Sequence, residues 1–211
     1  LTKDYFQYSN IKRIAFDIGN VLFRFDLSPL LDLLIRLGVV DNTIAAYEFM
    51  GGSFQHSQEV GLIDIKQSFY QLNPKLSYNN LEEIYDRWME TFEPSLPMME
   101  IVEELIANNH SVALLSNIGP DHAKCVRDKC KIFDKCIQHF SCDVGARKPT
   151  KLFFQSFFIQ NGWGRDTLYF DDMEANIAMG SNYHNAILFD INSFTSDDDA
   201  AKTMRGHLSL A

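Results

Sequence analysis

The chain has 211 residues, of which 46% are hydrophobic and 22% charged, and a formal net charge of -9. That length allows one sizeable core with a small accessory unit, and the composition is that of an ordinary globular protein. The acidic balance, with no basic stripe, argues against a general nucleic-acid binder, and no apolar run nears the roughly 20 residues that span a bilayer.

Leu1 to Asn10 are polar and aromatic and lack the apolar stretch of a signal peptide, so the expected location is the cytoplasm. Residues 11–16 read as a buried strand running into Asp17 and a tight Gly19-Asn20 turn. After Asp26 the signals turn helical. Ser28 reads as an N-cap before Pro29, opening a helix up to Gly38. Asp41 can cap a second helix ending at Gly51-Gly52. Asp64 can cap a third, with Ile65, Phe69 and Leu72 on one face, and Asn79 or Asn80 opens a fourth with Leu81, Ile84, Tyr85 and Trp88. No strand signal interrupts residues 27–92, so this segment is expected to be an all-helical insertion.

Pro97 suits the start of a helix containing Ile101, Val102 and Leu105. Further strands are expected at 111–115, 136–141, 167–170 and 186–189, with helix-length segments between them, the alternation of a parallel sheet. Leu152, Phe153, Phe157 and Phe158 form an aromatic stripe expected to pack in the core. Ser196 before three aspartates reads as the cap of a last helix. The resulting organisation is α/β. A discontinuous core is drawn from residues 1–25 and 95–211, with a helical cap from 26–94 between its parts.

Cys125, Cys130, Cys136 and Cys142 match no common zinc spacing. With His122 and His139 nearby a metal cluster is conceivable, but free thiols are the expectation.

Four short segments sit at or near strand ends: Asp17 with Gly19 and Asn20, Ser116-Asn117, Lys148-Pro149, and Asp171-Asp172. The first three have a plain reading when taken alone: a turn, a helix cap, a solvated turn. Two adjacent acids after a buried strand repel unless something binds them, and all four in this order have the pattern of a site. Transfer of a phosphoryl group to Asp17 would gather three carboxylates around a substrate carrying about two negative charges. Mg²⁺, which prefers oxygen ligands, can be held by Asp17, the Gly19 carbonyl and one acid of the Asp171/Asp172 pair. Lys148 adds a further positive charge, and a helix N-terminus after Ser116-Asn117 offsets about half a charge more.

The segments Phe16-Asp17-Ile18-Gly19-Asn20-Val21-Leu22, Leu115-Ser116-Asn117, Gly145-Ala146-Arg147-Lys148-Pro149 and Phe170-Asp171-Asp172 resemble the four ordered motifs of the haloacid dehalogenase (HAD) superfamily. Ser141 to Pro149 and Asp171 to Asn176 are similar to the branch containing sugar-1-phosphate phosphatases and the phosphatase domain of soluble epoxide hydrolases. In that branch a helical cap lies between the first two motifs, and Gln58-Glu59-Val60-Gly61-Leu62-Ile63 resembles its Glu-x-Gly-x-Ile element. The resemblance implies a Rossmann-like parallel-sheet core and a Mg²⁺-dependent phosphatase acting on a small phosphorylated metabolite, a sugar phosphate among the candidates. It makes Asp17 the nucleophile and a metal ligand. Ser116 and Lys148 then bind the phosphate or its Asp17 adduct, with Gly19 and Asn20 in the same turn. Asp171 and Asp172 anchor Mg²⁺, Asn117 orients the substrate, and Asn176 buttresses the acid loop.

One position departs from the family pattern. Most HAD phosphatases carry a second aspartate two residues after the nucleophile, as acid and then base, and here that residue is Gly19. Either the substrate has a good leaving group, or His56 or Glu59 of the cap replaces the acid. Two other functions stay open: a metal-free 2-haloacid dehalogenase, which usually has Tyr in place of Gly19, and a phosphate-binding regulatory protein of low turnover.

Overall fold

The computed structural model describes residues 11–41 and 53–210. The helix expected from Asp41 to Gly51-Gly52 lies outside them. A parallel five-stranded sheet runs in the order β5-β4-β1-β6-β7, built from β1 (Arg13–Phe16), β4 (Ser111–Ser116), β5 (Ile137–Phe140), β6 (Thr167–Asp171) and β7 (Asn185–Leu188). All five expected strands are present, with ends shifted by one or two residues. The first strand in the chain is the middle strand of the sheet. The chain therefore winds outward in both directions from β1, and the crevice at the carboxyl ends beside β1 is where such sheets hold ligands.

Alternation along the strands makes two cores. Ile14, Phe16, Val112, Leu114, Leu168 and Phe170 face the helices Leu96–Ala107 and Asp197–Leu208. Ala15, Ala113, Leu115 and Tyr169 face the helix Lys151–Asn161. The aromatic stripe on that last helix is rotated from its expected phase. Phe153, Phe154 and Phe157 are buried, but Leu152 is 61% and Phe158 43% exposed. Apolar residues recur all round this helix, scattered among Lys151, Gln155, Ser156, Gln160 and Asn161, so periodicity alone does not say which face meets the sheet.

Between β1 and β4 the chain forms a separate helical cluster. The helices Ser28–Arg36, Ile65–Leu72 and Tyr78–Glu90 pack Leu30, Leu31, Leu34, Phe69, Ile84 and Trp88 into a core of their own. Asp64 caps its helix as expected, accepting from the Gln67 N–H at 2.7 Å. Leu72, expected on the apolar face, is half exposed. The fourth helix is capped by Ser77, whose partner in a capping box is Asn80, so the opening assigned to Asn79 or Asn80 moves back. Ser28 is the first residue of its helix rather than the cap, and its N–H is taken by Asp26 at 2.9 Å. A short helix, Ser53–Glu59, precedes Gly61 and was not singled out in the sequence.

The expectation of helices alone over 26–94 is corrected at its end. β3 (Phe92–Pro94) pairs antiparallel with β2 (Phe23–Phe25), Phe25 opposite Phe92, and this ribbon carries both crossings between the sheet and the helices. Three-residue strands are too short to show a period of two. The helical unit also touches the core directly at Gly61, where an added Cβ would lie 2.6 Å from the Cys142 carbonyl oxygen.

Candidate active site

The three central strands bring the predicted residues together. Asp17 follows β1, Ser116 ends β4 and Asp171 ends β6, and the Asp17 N–H donates to the Phe170 carbonyl at 2.8 Å, continuing the ladder. Lys148 arrives from the loop after β5 and is fully buried. Its ammonium lies 3.0 Å from Asp17 Oδ1 and 2.6 Å from Asp171 Oδ2, and it donates to the Leu115 carbonyl at 2.7 Å. Its three donors thus go to two carboxylates at the ends of neighbouring strands and to one backbone carbonyl.

The two acids of the pair have different surroundings. Asp171 Oδ1 accepts from the Met173 N–H at 2.9 Å and from Asn176 Nδ2 at 2.8 Å, while Oδ2 takes Lys148 and the Tyr169 hydroxyl. Four donors satisfy the four lone-pair sites of a carboxylate. Asp172 lines the cavity and, among the described residues, accepts one side-chain hydrogen bond, from Asn20 Nδ2 at 3.0 Å. Asn20 is itself held by Asn192, through Nδ2 to Oδ1 at 3.1 Å, and sits at φ 55°. The tight turn expected at Gly19-Asn20 is therefore left-handed at the asparagine, a residue that tolerates it.

Carboxylate oxygens of Asp17, Asp171 and Asp172 lie within 4.8 Å of one another, the one such cluster of potential metal ligands among the described residues. Burial, opposed by Lys148 and reinforced by the charges of Asp171 and Asp172, pushes the Asp17 carboxyl up to about 7. Asp172 is also raised, chiefly by burial. Three acids beside one ammonium make an all-oxygen, electron-rich site short of positive charge, which fits a hard divalent cation.

Ser116 is buried in the cavity wall, and its hydroxyl acts to lower the pKa of the Asp17 carboxyl against the larger effect of burial. Asn117 has a more specific place than that of orienting a substrate. Its Nδ2 donates to the Lys148 carbonyl at 2.9 Å and its Oδ1 accepts from the Lys148 N–H at 2.7 Å. The amide grips the main chain of Lys148, so its influence on a substrate passes through that lysine. Gly19 lines the cavity with a backbone outside the positive-φ region.

Of the two cap candidates for a missing acid, Glu59 reaches the cavity and His56 is exposed outside its wall. Glu59 is paired, with Oε2 2.9 Å from Arg147 Nε and Oε1 accepting from Gln55 Nε2 at 2.8 Å. Burial raises its pKa, and Arg147 opposes the rise. The pair joins the helical unit to the residue next to Lys148. The remaining wall is aromatic. His122 lies between Trp88, with ring centres 4.6 Å apart, and Phe92, at 4.8 Å, both nearly parallel to it. Its Nε2 meets the Trp88 carbonyl at 2.8 Å, and burial pushes its pKa down to about 4, so the imidazole is neutral. The His/Cys metal cluster does not form among the described residues. All four cysteines are free, and His139 Nε2 lies 3.1 Å from the Phe153 carbonyl.

Sequence reasoning missed Tyr169, although it stands two residues before Asp171 on one strand and so on the same face. It also assigned no role to Arg147, Gln58 or Trp88, whose approach to the site depends on how the helical unit sits.

The fold has close parallels among solved structures. A HAD family enzyme from Bacteroides thetaiotaomicron, in complex with magnesium and inorganic phosphate, matches with a TM-score of 0.73 at 20% identity over 89% of this chain and 98% of its own. The chain has the HAD fold. A predicted HAD-like family hydrolase from Porphyromonas gingivalis matches with a TM-score of 0.72 at 21% identity, covering 92% and 98% of the two chains. An L-2-haloacid dehalogenase from Xanthobacter autotrophicus shares the HAD fold less closely, with a TM-score of 0.55 at 16% identity over 85% and 77%. No protein-family model matches the sequence.

Proposed function

We propose that the chain is a HAD-type phosphohydrolase that releases inorganic phosphate from small phosphomonoesters, with Asp17 as nucleophile and 26–94 as a cap over the site. The observation that carries this reading is the cluster of three carboxylates around Lys148 beside Ser116 in one cavity. Displacement of halide from carbon calls for no metal, whereas a cluster of three carboxylates beside one ammonium is costly unless a further cation completes it. The magnesium- and phosphate-bound HAD enzyme from Bacteroides thetaiotaomicron supports the same choice.

Asp17 Oδ1 is fixed by the Ile18 N–H at 2.7 Å and by Lys148, and we assign Oδ2 to attack on phosphorus. The Asp17-phosphate bond forms as the bond to the leaving alcohol breaks, and water then cleaves the adduct. Ser116 holds a non-transferring oxygen, and Lys148, in contact with Asp17 Oδ1, supplies positive charge beside the Asp17 adduct. Asp17, Asp172 and the Gly19 carbonyl would hold Mg²⁺, with Asp171 committed to Lys148. Bound there, the ion neutralises the acids and the phosphate oxygens. Gly19 offers no proton donor and Glu59 is engaged by Arg147, so the esters best served have leaving groups that need little protonation. The acid cluster makes a haloacid substrate less fitting, and turnover is what separates the enzyme from a purely regulatory protein.

The test is phosphate release from acetyl phosphate in MgCl₂, by the wild type and by Asp17→Asn. Loss of release in the variant, and in wild type after EDTA, is expected. Equal release from both proteins, or activity that survives EDTA, removes the assignment.

A further inference from the structure

Gln58 and Trp88 line the cavity, and among the described residues Gln58 Nε2 and Trp88 Nε1, both buried, have no hydrogen-bond partner. Both side chains are more than nine-tenths buried. The Gln58 amide lies across Gly119, close enough that a Cβ on Gly119 would meet Cγ at 2.8 Å and Nε2 at 3.2 Å, so it has little freedom to turn elsewhere. Trp88 is fixed by its stack on His122. A rigid, desolvated donor without an acceptor is a standing cost that a ligand oxygen removes.

The charges nearby say what kind of oxygen. Lys148 is divided between Asp17 and Asp171, and Arg147 is held by Glu59. Among the described residues of this wall no cation is left to receive a carboxylate. His122 is neutral, and its stack with Trp88 and Phe92 presents apolar surface beside the two donors.

Resting on the phosphohydrolase reading, we infer that Gln58 and Trp88 are specificity-determining residues that donate to uncharged hydroxyl oxygens on the alcohol half of the substrate. The preferred ester then carries a compact hydroxylated leaving group whose departing oxygen needs little protonation. A plain alkyl group leaves both donors unpaired, and an anionic group finds no counter-charge. A site built to hydrogen-bond a hydroxyl rejects the analogue lacking it far more strongly than an apolar pocket rejects an extra group.

The experiment compares the binding of dihydroxybutyl phosphonate, butyl phosphonate and carboxypropyl phosphonate to the full chain in MgCl₂ by titration calorimetry. Phosphonates are not hydrolysed, so the comparison does not depend on turnover. The wild type is expected to bind the diol about 10- to 100-fold more tightly than the alkyl compound, at about tenfold per donor satisfied. The carboxylate compound should bind no more tightly than the alkyl one. Gln58→Leu and Trp88→Phe should each reduce the diol preference about tenfold. Equal affinity for diol and alkyl compounds in wild type, a preference for the carboxylate, or a diol preference that survives both substitutions overturns the inference. The wild-type comparison decides even where a variant fails to fold. Acetyl phosphate turnover, run in parallel, reports on the phosphohydrolase reading alone: turnover without diol preference refutes only the recognition, and the reverse refutes only the chemistry.

Discussion

Gly19→Asp tests the catalytic reading most sharply. A Cβ at this position would sit 3.6 and 3.8 Å from atoms of the Phe92 ring, which is ordinary contact, and the backbone there is not left-handed. The substitution should therefore fold, with a carboxyl group placed over the cavity two residues after the nucleophile. If what limits hydrolysis is protonation of the leaving oxygen, general acid help is worth about 10²–10⁴-fold, or about 3–5 kcal/mol of barrier. The assay is the initial rate of phosphate release in MgCl₂ across esters running from acetyl phosphate through aryl to alkyl phosphates. Wild type should slow steeply as the leaving group becomes more basic. The variant should flatten that slope, gaining most at the alkyl end and less than about tenfold on acetyl phosphate. A folded variant that changes all esters by one factor, or gains nothing on alkyl esters, would show that proton supply is not what the site lacks.

Other outcomes follow from the same geometry. Lys148→Met leaves Asp17 and Asp171 buried without their cation, and should cost about 3–5 kcal/mol in denaturant unfolding. The Asp17 carboxyl, pushed up to about 7, binds its proton more tightly folded than unfolded. Without metal that group makes folding less favourable as pH rises from about 4 toward 7. Mg²⁺ should therefore raise the melting temperature more at pH 8 than at pH 5.5, and an equal gain at both would contradict it. Asn117→Ala removes both bonds to the Lys148 main chain, and should lower kcat more than it raises KM while costing about 1–3 kcal/mol of stability. Glu59→Gln should raise KM through the loss of its ion pair with Arg147 and leave the leaving-group slope intact; a steeper slope would make Glu59 the acid.

The strands and their terminal acids were legible because each is a local pattern: an apolar run, then a polar residue the run cannot absorb. Asp17, Ser116, Lys148 and Asp171 do converge, because parallel strands put all their carboxyl ends on one edge. What resisted reading depended on neighbours. The helix carrying Phe153 and Phe157 shows no polar face to set its phase, and Ser77 is a cap only because Asn80 answers it. The unequal roles of Asp171 and Asp172 needed Tyr169 and Asn176 in place before either could be told from the other. Gln58 and Trp88 lie on helices whose pattern reports only their own packing, not what lies opposite.

The ribbon joining the two units has a consequence for how such a molecule can change. Phe25 and Phe92 are ladder partners, and the Asp26 N–H reaches the Thr91 carbonyl at 3.0 Å just beyond them. As far as the sheet is concerned, everything between is the tip of one hairpin. A longer, shorter or unrelated segment grafted at those two points would leave strand order and the floor of acids untouched. The chemistry and the choice of customer can therefore drift independently over evolutionary time.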